Sequence, residues 1–401
     1  MKIIVSLAIM FFCSFFTGCG RAQRITSIER EDLFRLDIGI MEDQIALFDP
    51  GINQSLRLAN HVMMDGLFYI SDGNGAKILR YNSFGDLLFM IYNDETNPPP
   101  MTLLPLSDGS LLTRWSVRHP LNEPGEIAVD SRRHIYVRDR LPPELHEFDA
   151  GTRSLLNNII LHFDADGRFV HSIGREGVGG TPFPLIEGIY TSVNDEFAVV
   201  CRHPQGWDIY WYNSDGMLLF RVQLNLDALP IPPDRGNVVP SLDRISVAVD
   251  ERALYIKVDY FVHIYDESTN LRIGIESDSS VIWVMNVETG VWERHIDVPF
   301  FEHTVTEQTR RVTHRMLFSM LGMIRNGHAV LTFPVDDGYS ILIISTDSSG
   351  TQYRGFISVD NQLLHFNAFS LSADGILSGL LVDDWHVRLA WWRLDRFIGG
   401  T

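Results

Sequence analysis

The chain has 401 residues, of which 45% are hydrophobic and 21% are charged, so it is long and apolar enough to bury a large core. Its formal net charge is −18 at pH 7, and no run of basic residues interrupts this acidity along the sequence. An acidic surface repels nucleic-acid phosphates and anionic lipid headgroups. The composition therefore argues against a nucleic-acid partner.

The N-terminus is typical of an exported chain. Lys2 precedes an apolar run over residues 3–16, which suits a signal peptide and is shorter than the roughly 20 residues of a membrane span. The run ends in Phe16-Thr17-Gly18-Cys19, which resembles the lipobox of bacterial lipoproteins, with Phe16 where leucine is usual. The resemblance implies that residues 1–18 are removed and that Cys19 carries the lipid. The alternatives are an ordinary signal peptide with an incidental Cys19, or an uncleaved anchor.

Lipidation would fix where the protein resides. Two or three acyl chains hold a protein stably at a membrane. We therefore expect a cell-envelope protein, on the periplasmic side of a membrane or at the cell surface, with residues 19–32 as a tether. Cys13 lies in the removed segment, so Cys201 alone remains in the mature domain besides Cys19, and no internal disulfide can form. The apolar run around Cys201 predicts a small core residue.

One sequence phrase recurs along the rest of the chain. An apolar strand ending in an aromatic residue is followed by Asp or Asn, two further residues, Gly and a second apolar strand. Asp or Asn starts a turn and Gly accepts positive φ, so each copy predicts a β-hairpin. Clear copies occupy residues 78–89, 160–170 and 209–219, and weaker copies occupy 284–292 and 343–353.

Another pair of strands precedes each hairpin, for example within residues 124–139, and two plus two strands make a propeller blade. The phrase Ile-Ala-Val-Asp, Ile-Tyr-Val-x-Asp and Phe-Asp-x-x-Gly resembles NHL-repeat propellers and their six-bladed relatives, best over 60–91 and 124–174. Lys77 and Asn158 stand where those repeats usually carry arginine. The resemblance implies an all-β propeller, a disc of four-stranded antiparallel blades. Another all-β repeat or a sandwich is the alternative.

The spacing favours six blades. They are expected at residues 60–92, 120–174, 183–224, 241–296, 314–358 and 364–397. The last contains three strands, so we predict that an N-terminal strand, from 33–38 or 44–48, closes the ring of a single domain over 33–401. Residues 95–118 form either a long connection or a seventh blade. A helix is suggested only at 302–317.

The sequence offers no catalytic motif. It lacks the zinc-protease, serine-hydrolase, phosphate-loop and paired-cysteine patterns, so we predict no catalytic residue, metal ligand, cofactor or nucleotide. Asp164-Ala-Asp166-Gly167 resembles the start of a calcium loop but lacks its continuation, and a hairpin turn is the simpler interpretation.

Two insertions indicate a working face. Residues 140–158 and 259–280 join the second and third strands of their blades, so they should share one face of the disc with the inter-blade loops at 230–240 and 301–313. Binding residues on a rigid scaffold commonly lie in such loops. The candidates from this face are His146, His203, Trp207, Tyr260 and His303.

Two functions remain open at this stage. The first is a non-enzymatic envelope lipoprotein that serves as a binding or scaffold module for a protein or an envelope polymer. The second follows from the resemblance, because some six-bladed propellers are metal-dependent lactone or ester hydrolases with carboxylates and an Asn around the central channel. Converging polar side chains in the channel would favour the hydrolase, and an apolar or scattered lining would favour the binding module.

Overall fold

A computed structural model of the chain describes residues 26–47, 59–106, 112–307, 310–347 and 349–399. These residues form six sheets of four or more strands and two smaller sheets of two strands. We call the larger sheets blades 1 to 6, in chain order. Five blades are each built from consecutive strands, and the sixth is completed by a strand from the N-terminal segment. The predicted all-β propeller is confirmed.

The first half of the chain builds blades 1 to 3. Two strands come first, β1 (Thr26–Ile28) and β2 (Arg30–Asp37). Blade 1 contains β3 (Asn60–Met64), β4 (Leu67–Asp72), β5 (Lys77–Asn82) and β6 (Leu87–Tyr92), followed by β7 (Leu104–Pro105) and β8 (Trp115–Arg118). Blade 2 contains β9 (Ile127–Val129), β10 (Ile135–Arg140), β13 (Asn158–Phe163), β14 (Phe169–Gly174) and β15 (Gly177–Val178), with the hairpin β11 (Glu147–Asp149) and β12 (Ser154–Leu156) inserted after β10. Blade 3 contains β16 (Leu185–Thr191), β17 (Phe197–His203), β18 (Gly206–Tyr212) and β19 (Leu218–Asn225).

The second half builds blades 4 to 6. Blade 4 contains β20 (Val239–Val247), β21 (Ala253–Tyr265), β22 (Arg272–Asn286) and β23 (Trp292–Asp297), and the hairpin β24 (Phe301–Glu307) and β25 (Arg310–Met316) follows it. Blade 5 contains β26 (Ser319–Ile324), β27 (His328–Val335), β28 (Gly338–Ser345) and β29 (Gln352–Ser358). Blade 6 contains β30 (Phe366–Leu371), β31 (Ile376–Val382) and β32 (His386–Arg393), before helix α1 (Leu394–Gly399). Short 3-10 helices lie at Pro143–Leu145, Val193–Asp195, Leu226–Ala228 and Asn361–Leu363.

The blades form a closed ring. The first strands of neighbouring blades contact one another in a complete cycle, through β3, β9, β16, β20, β26 and β30. All six of these strands line one central channel. Each interface between neighbouring blades contains its own hydrophobic cluster, so the core is divided among the interfaces. Large aromatic side chains lie at these interfaces, and Trp211, Tyr212 and Trp392 are fully buried.

An N-terminal strand closes the ring, as predicted. Strand β2 pairs antiparallel with β32, from Arg30 opposite Trp392 to Asp37 opposite His386. Strand β1 adds to the outer edge of blade 5, parallel to β29. The predicted propeller start at residue 33 is too late, because β1 begins at Thr26. Most side chains of β1 and β2 are at least partly exposed. An exposed edge strand gives little apolar signal in a sequence.

The recurring turns have the predicted backbone. Gly85, Gly167 and Gly216 all have positive φ, between 80° and 86°. In the turn at 164–167, the side chain of Asp164 accepts backbone hydrogen bonds from Asp166 and Arg168. This segment is a hairpin turn, in agreement with the interpretation made from the sequence.

Three segments differ from expectation. The helix suggested at 302–317 is wrong, because this stretch forms the β24–β25 hairpin, whose β-branched Thr304 and Val305 lie opposite Thr313 and Val312. Residues 259–280 are not a loop but a continuation of β21 and β22, paired as far as Tyr265 opposite Arg272. Residues 95–118 add β7 and β8 in parallel to the edge of blade 1 and, where described, form no further blade.

Cys19 and the predicted signal peptide lie outside the described residues. Within the described ranges, no helix is both long and apolar enough to cross a membrane. Cys201 is a free, fully buried thiol on β17, as expected of a core residue.

Candidate functional site

A cavity of about 570 Å³ opens between blades 2 and 3. Its wall includes Arg140 and Asn158, where the inserted segment leaves and rejoins blade 2, and His203, where β17 of blade 3 ends. These are the ends at which second and third strands are connected. The cavity therefore lies on the face that carries the insertions.

The insertion of blade 4 belongs to the same face. Leu226, just after blade 3, lines the cavity. A few residues further on, the carbonyl of Pro230 accepts a hydrogen bond from the hydroxyl of Tyr260, and Arg235 forms an ion pair of 3.1 Å with Asp278. The connection between blades 3 and 4 therefore runs from the cavity to the base of the long β21–β22 hairpin, as the predicted shared face requires.

Four arginines line the cavity: Arg138, Arg140, Arg153 and Arg202. Arg138 and Arg140 are two residues apart on β10 and so point to the same side of the blade. Arg153 comes from the β11–β12 turn, and Arg202 from the end of β17. We call this site the arginine cavity. Among the described lining residues, Glu126 is the one carboxylate.

Three of these arginines have carboxylate partners. The Nε of Arg138 donates to Oε2 of Glu126 at 2.7 Å, in a pair that is largely shielded from solvent. The more exposed Arg140 and Arg202 form longer pairs, of 3.2 Å with Glu123 and 3.4 Å with Glu187. Exposed pairs of this kind contribute only about 0–1 kcal/mol.

Arg153 differs from the other three. Its side chain is exposed, and it forms no ion pair or hydrogen bond with any residue in the described ranges. Its φ of 54° belongs to the turn that joins β11 and β12. A guanidinium at the cavity wall is thus available to a ligand without breaking an internal contact.

Apolar side chains share the cavity with the cations. Leu155, Leu185 and Leu226 line it and are 49%, 59% and 43% exposed. Trp207 lies deeper, with its Nε1 donating to Oε2 of Glu187 at 3.0 Å and the guanidinium of Arg202 5.8 Å from its ring centre. The cavity therefore offers both positive charge and unburied aliphatic surface.

The structure separates the five predicted binding residues. His203 and Trp207 both line the arginine cavity. His146 lies in the blade 2 insertion with its Nε2 2.8 Å from the carbonyl of Leu141, and it is not among the lining residues. His303 is exposed on β24, opposite His314.

Tyr260 requires a correction. It was placed in a loop, but it lies on β21 and its side chain is fully buried. Its hydroxyl accepts a hydrogen bond of 2.8 Å from Nε1 of Trp283 while donating to Pro230. Burial and hydrogen bonding make it a core residue of blade 4.

The central channel has a different character. Its volume is about 240 Å³, and its lining is mostly apolar or small, with His61, Glu126, Glu187 and Arg244 distributed over different blades. Across the described part of the chain, no group of three or more His, Cys, Asp or Glu side chains is placed to hold a metal ion.

A line of three histidines crosses blade 2, from His134 just before β10 to His162 on β13 and His171 on β14. Nδ1 of His134 lies 2.9 Å from Nε2 of His162, whose Nδ1 lies 3.3 Å from Nε2 of His171. Burial, together with the neighbouring His171 and His134, lowers the pKa of His162 to about 3. The line therefore stays neutral at its centre. Sequence analysis missed it, although His162 and His171 flank a predicted hairpin turn and face each other across it.

The arginine cavity was also missed as a charged site. Arg138 and Arg140 alternate along a predicted strand, which was the available signal. Arg153 and Arg202 belong to other elements, and only the tertiary structure brings them to the same cavity.

Comparison with protein-family models finds no match, and no curated protein matches the chain. Solved structures match at the level of the fold. The polysaccharide lyase Uly1 is 10% identical, with a TM-score of 0.43, over 92% of this chain and 100% of that one. The Dos1 propeller is 7% identical, with a TM-score of 0.38, over 87% and 82% of the two chains. The WD40 domain of Toxoplasma gondii coronin is 8% identical, with a TM-score of 0.34, over 82% and 66%. The sheets and the closed cycle of first strands define the class as a β-propeller. Likenesses this distant say nothing about activity.

Proposed function

We propose that this protein is a non-enzymatic binding or scaffold module of the cell envelope, which holds a protein partner on the face that carries the insertions. The observation that carries the proposal is the arginine cavity at the foot of the blade 2 insertion, on a ring whose six interfaces are each packed. Binding sites on rigid scaffolds are commonly built from such connecting segments.

The channel supports the same choice. Its charged side chains and its histidine are scattered over several blades among apolar and small residues, which is the arrangement expected of a propeller that binds on its face. The hydrolase alternative needs polar side chains that converge in the channel, and no observation favours it over the binding module.

The envelope location rests on the proposed lipidation of Cys19. Thr26, the start of β1, is the seventh residue after Cys19, a distance of at most about 25 Å when fully extended. A lipid at Cys19 would therefore keep blade 5, which carries β1, close to the membrane surface.

The anchor is tested by metabolic labelling with a fatty acid. Wild-type protein should incorporate the label and fractionate with membranes, and Cys19→Ala should lose both properties. Cys201→Ala is the matched control and should keep them. Persistent labelling of Cys19→Ala would contradict the anchor assignment.

The binding face is tested by crosslinking in intact envelopes. Wild-type protein should form one defined crosslinked species. A variant with residues 142–156 replaced by a short turn should lose this species, and a variant shortened in the turn at 164–167, on the opposite face, should retain it. Equal crosslinking by both variants would place the partner elsewhere.

A further inference from the structure

We propose that the arginine cavity binds an acidic peptide segment of the partner, with the segment's carboxylates on Arg140, Arg153 and Arg202 and an apolar side chain on the leucines. The inference rests on the proposed function, because it specifies what a protein partner presents to this face. It assigns a ligand class to a cavity that sequence analysis did not recognise as charged.

The positive charge of the cavity indicates an anionic ligand. Arg153 has no partner among the described residues, and the pairs of Arg140 and Arg202 are exposed and longer than 3 Å. Such guanidinium groups can donate hydrogen bonds to a ligand carboxylate, and a bidentate pair with Arg is among the stronger charge-assisted contacts. Arg138 already forms an ion pair of 2.7 Å with Glu126, so we assign it to the cavity wall and not to the ligand contacts.

The aliphatic surface indicates that the ligand is not merely an ion. Leu155, Leu185 and Leu226 are all at least 43% exposed while lining one cavity. Burying their surface is favourable only if the ligand brings apolar groups of its own. A free phosphate or a bare carboxylate has none, whereas a peptide with neighbouring acidic and aliphatic side chains has both.

The charge of the whole chain favours a short segment over a long anionic polymer. The formal net charge is −18, so the arginine cavity is a local exception on an acidic protein. Screening limits attraction to roughly 8–10 Å at physiological salt. A short acidic peptide interacts mainly with the arginines. An extended polyanion would also lie close to carboxylates outside the cavity, and these would repel it.

Fluorescence anisotropy with the full chain tests the assignment. The probe is a fluorescein-labelled peptide of alternating Glu and Leu, and its counterparts carry Lys for Glu or Gly for Leu. We expect saturable binding of the Glu–Leu peptide that weakens as salt is raised. The Lys–Leu peptide should not bind, and the Glu–Gly peptide should bind at least about tenfold more weakly.

Variants locate the binding. Arg153→Glu should weaken binding of the Glu–Leu peptide by about tenfold or more without altering the unfolding midpoint, because its side chain has no internal partner among the described residues. Arg202→Glu should act in the same direction. The matched control is Arg272→Glu, an exposed arginine at the tip of the β21–β22 hairpin, which should bind as wild type does.

Three results would overturn the inference. They are absence of binding by the Glu–Leu peptide, unchanged binding in both Arg153→Glu and Arg202→Glu, and displacement of the peptide by a soluble polyuronate of equal charge at lower concentration. If the envelope crosslink is formed while the peptide fails to bind, the ligand class is wrong and the binding module stands. If the crosslink also fails, the proposed function is wrong as well.

Discussion

Nε1 of Trp391 donates a hydrogen bond of 2.9 Å to Oε2 of Glu31, across 360 residues of sequence. The two residues lie directly opposite each other in the β2–β32 pair. This contact joins β2, near the start of the described chain, to β32, its last strand, at the position where the ring closes.

Removing the closing strand should expose the edge of blade 6. Deletion of residues 24–50 takes away β1 and β2, so β32 loses its backbone partners on its outer side and the core at this interface loses Leu36. We expect a sharp drop in unfolding midpoint and in solubility, because an unpaired strand is a template for aggregation. Thermal unfolding followed by circular dichroism measures the unfolding midpoint, and light scattering detects the loss of solubility.

A point variant isolates the packing contribution of the same strand. Leu36 is 5% exposed and belongs to the cluster that contains Val387 and Leu389, so Leu36→Ala should lower the free energy of unfolding by about 2–5 kcal/mol. Leu104→Ala, at a leucine that is 58% exposed, is the control and should change it little. Equal effects of the two substitutions in urea unfolding would show that β2 contributes no core.

His61 should make the protein less stable in acid. Burial lowers its pKa from the usual 6.5 to about 4. Its ring lies 2.9 Å from the hydroxyl of Ser378 in blade 6. As the pH falls, the unfolded chain therefore takes up a proton at this histidine before the folded chain does. The contribution of His61 to the free energy of unfolding is fully present above pH 6.5 and is lost as the pH falls towards 4.

The size of this effect can be measured. Two and a half pH units at about 1.4 kcal/mol each correspond to roughly 3 kcal/mol for this group. Urea unfolding between pH 7 and pH 4 should show a shallower pH dependence in His61→Asn than in wild type. His303→Asn, at an exposed histidine, should leave the slope unchanged. The same slope in all three proteins would show that His61 is not a buried neutral group.

Cys201 should be inert in the folded protein. It is fully buried, and burial raises the pKa of its thiol well above the usual value. In a chain that begins after Cys19, a maleimide should label Cys201 only after denaturation, since the thiolate is the reactive form. Rapid labelling under native conditions would contradict the packing of blade 3.

The tip of the β21–β22 hairpin should be dispensable for folding. Leu271, Ile273 and Ile275 are each at least 51% exposed, so their removal creates no cavity. Replacing residues 263–275 by an Asn-Gly turn should change the free energy of unfolding by no more than about 1 kcal/mol, because loop length costs little. Urea unfolding checks this. A large loss would mean that the tip packs against other parts of the ring.

Sequence predicted the features that repeat locally. The Asx-to-Gly turns carry both a hydrogen-bonding side chain and a residue suited to positive φ, and Gly85, Gly167 and Gly216 confirm them. The apolar run around Cys201 likewise identified a side chain that is buried between blades 2 and 3. These signals are short-range, so a single copy of the phrase is informative by itself.

Features that depend on register or on distant elements were not predicted. The outer half of the β21–β22 hairpin was mistaken for a loop because it extends beyond the packed blade, where even the alternating Leu271, Ile273 and Ile275 are exposed. The arginine cavity combines Arg140 with Arg153 and Arg202 from another hairpin and another blade, and no sequence spacing encodes that proximity. Tyr260 was misplaced because the predicted insertion began at residue 259, inside the buried half of β21.

The pairing of β2 with β32 also sets an order of events during synthesis. Strand β2 leaves the ribosome before any of the described blades exists, and its partner β32 is made after every other described strand. Until then β2 has no ladder to join, and blade 6 has no outer strand. A contact of such long range is slow to form and leaves both edges open to wrong partners. Closure of this ring is therefore the step at which chaperone protection and dilution would most affect the yield of folded protein.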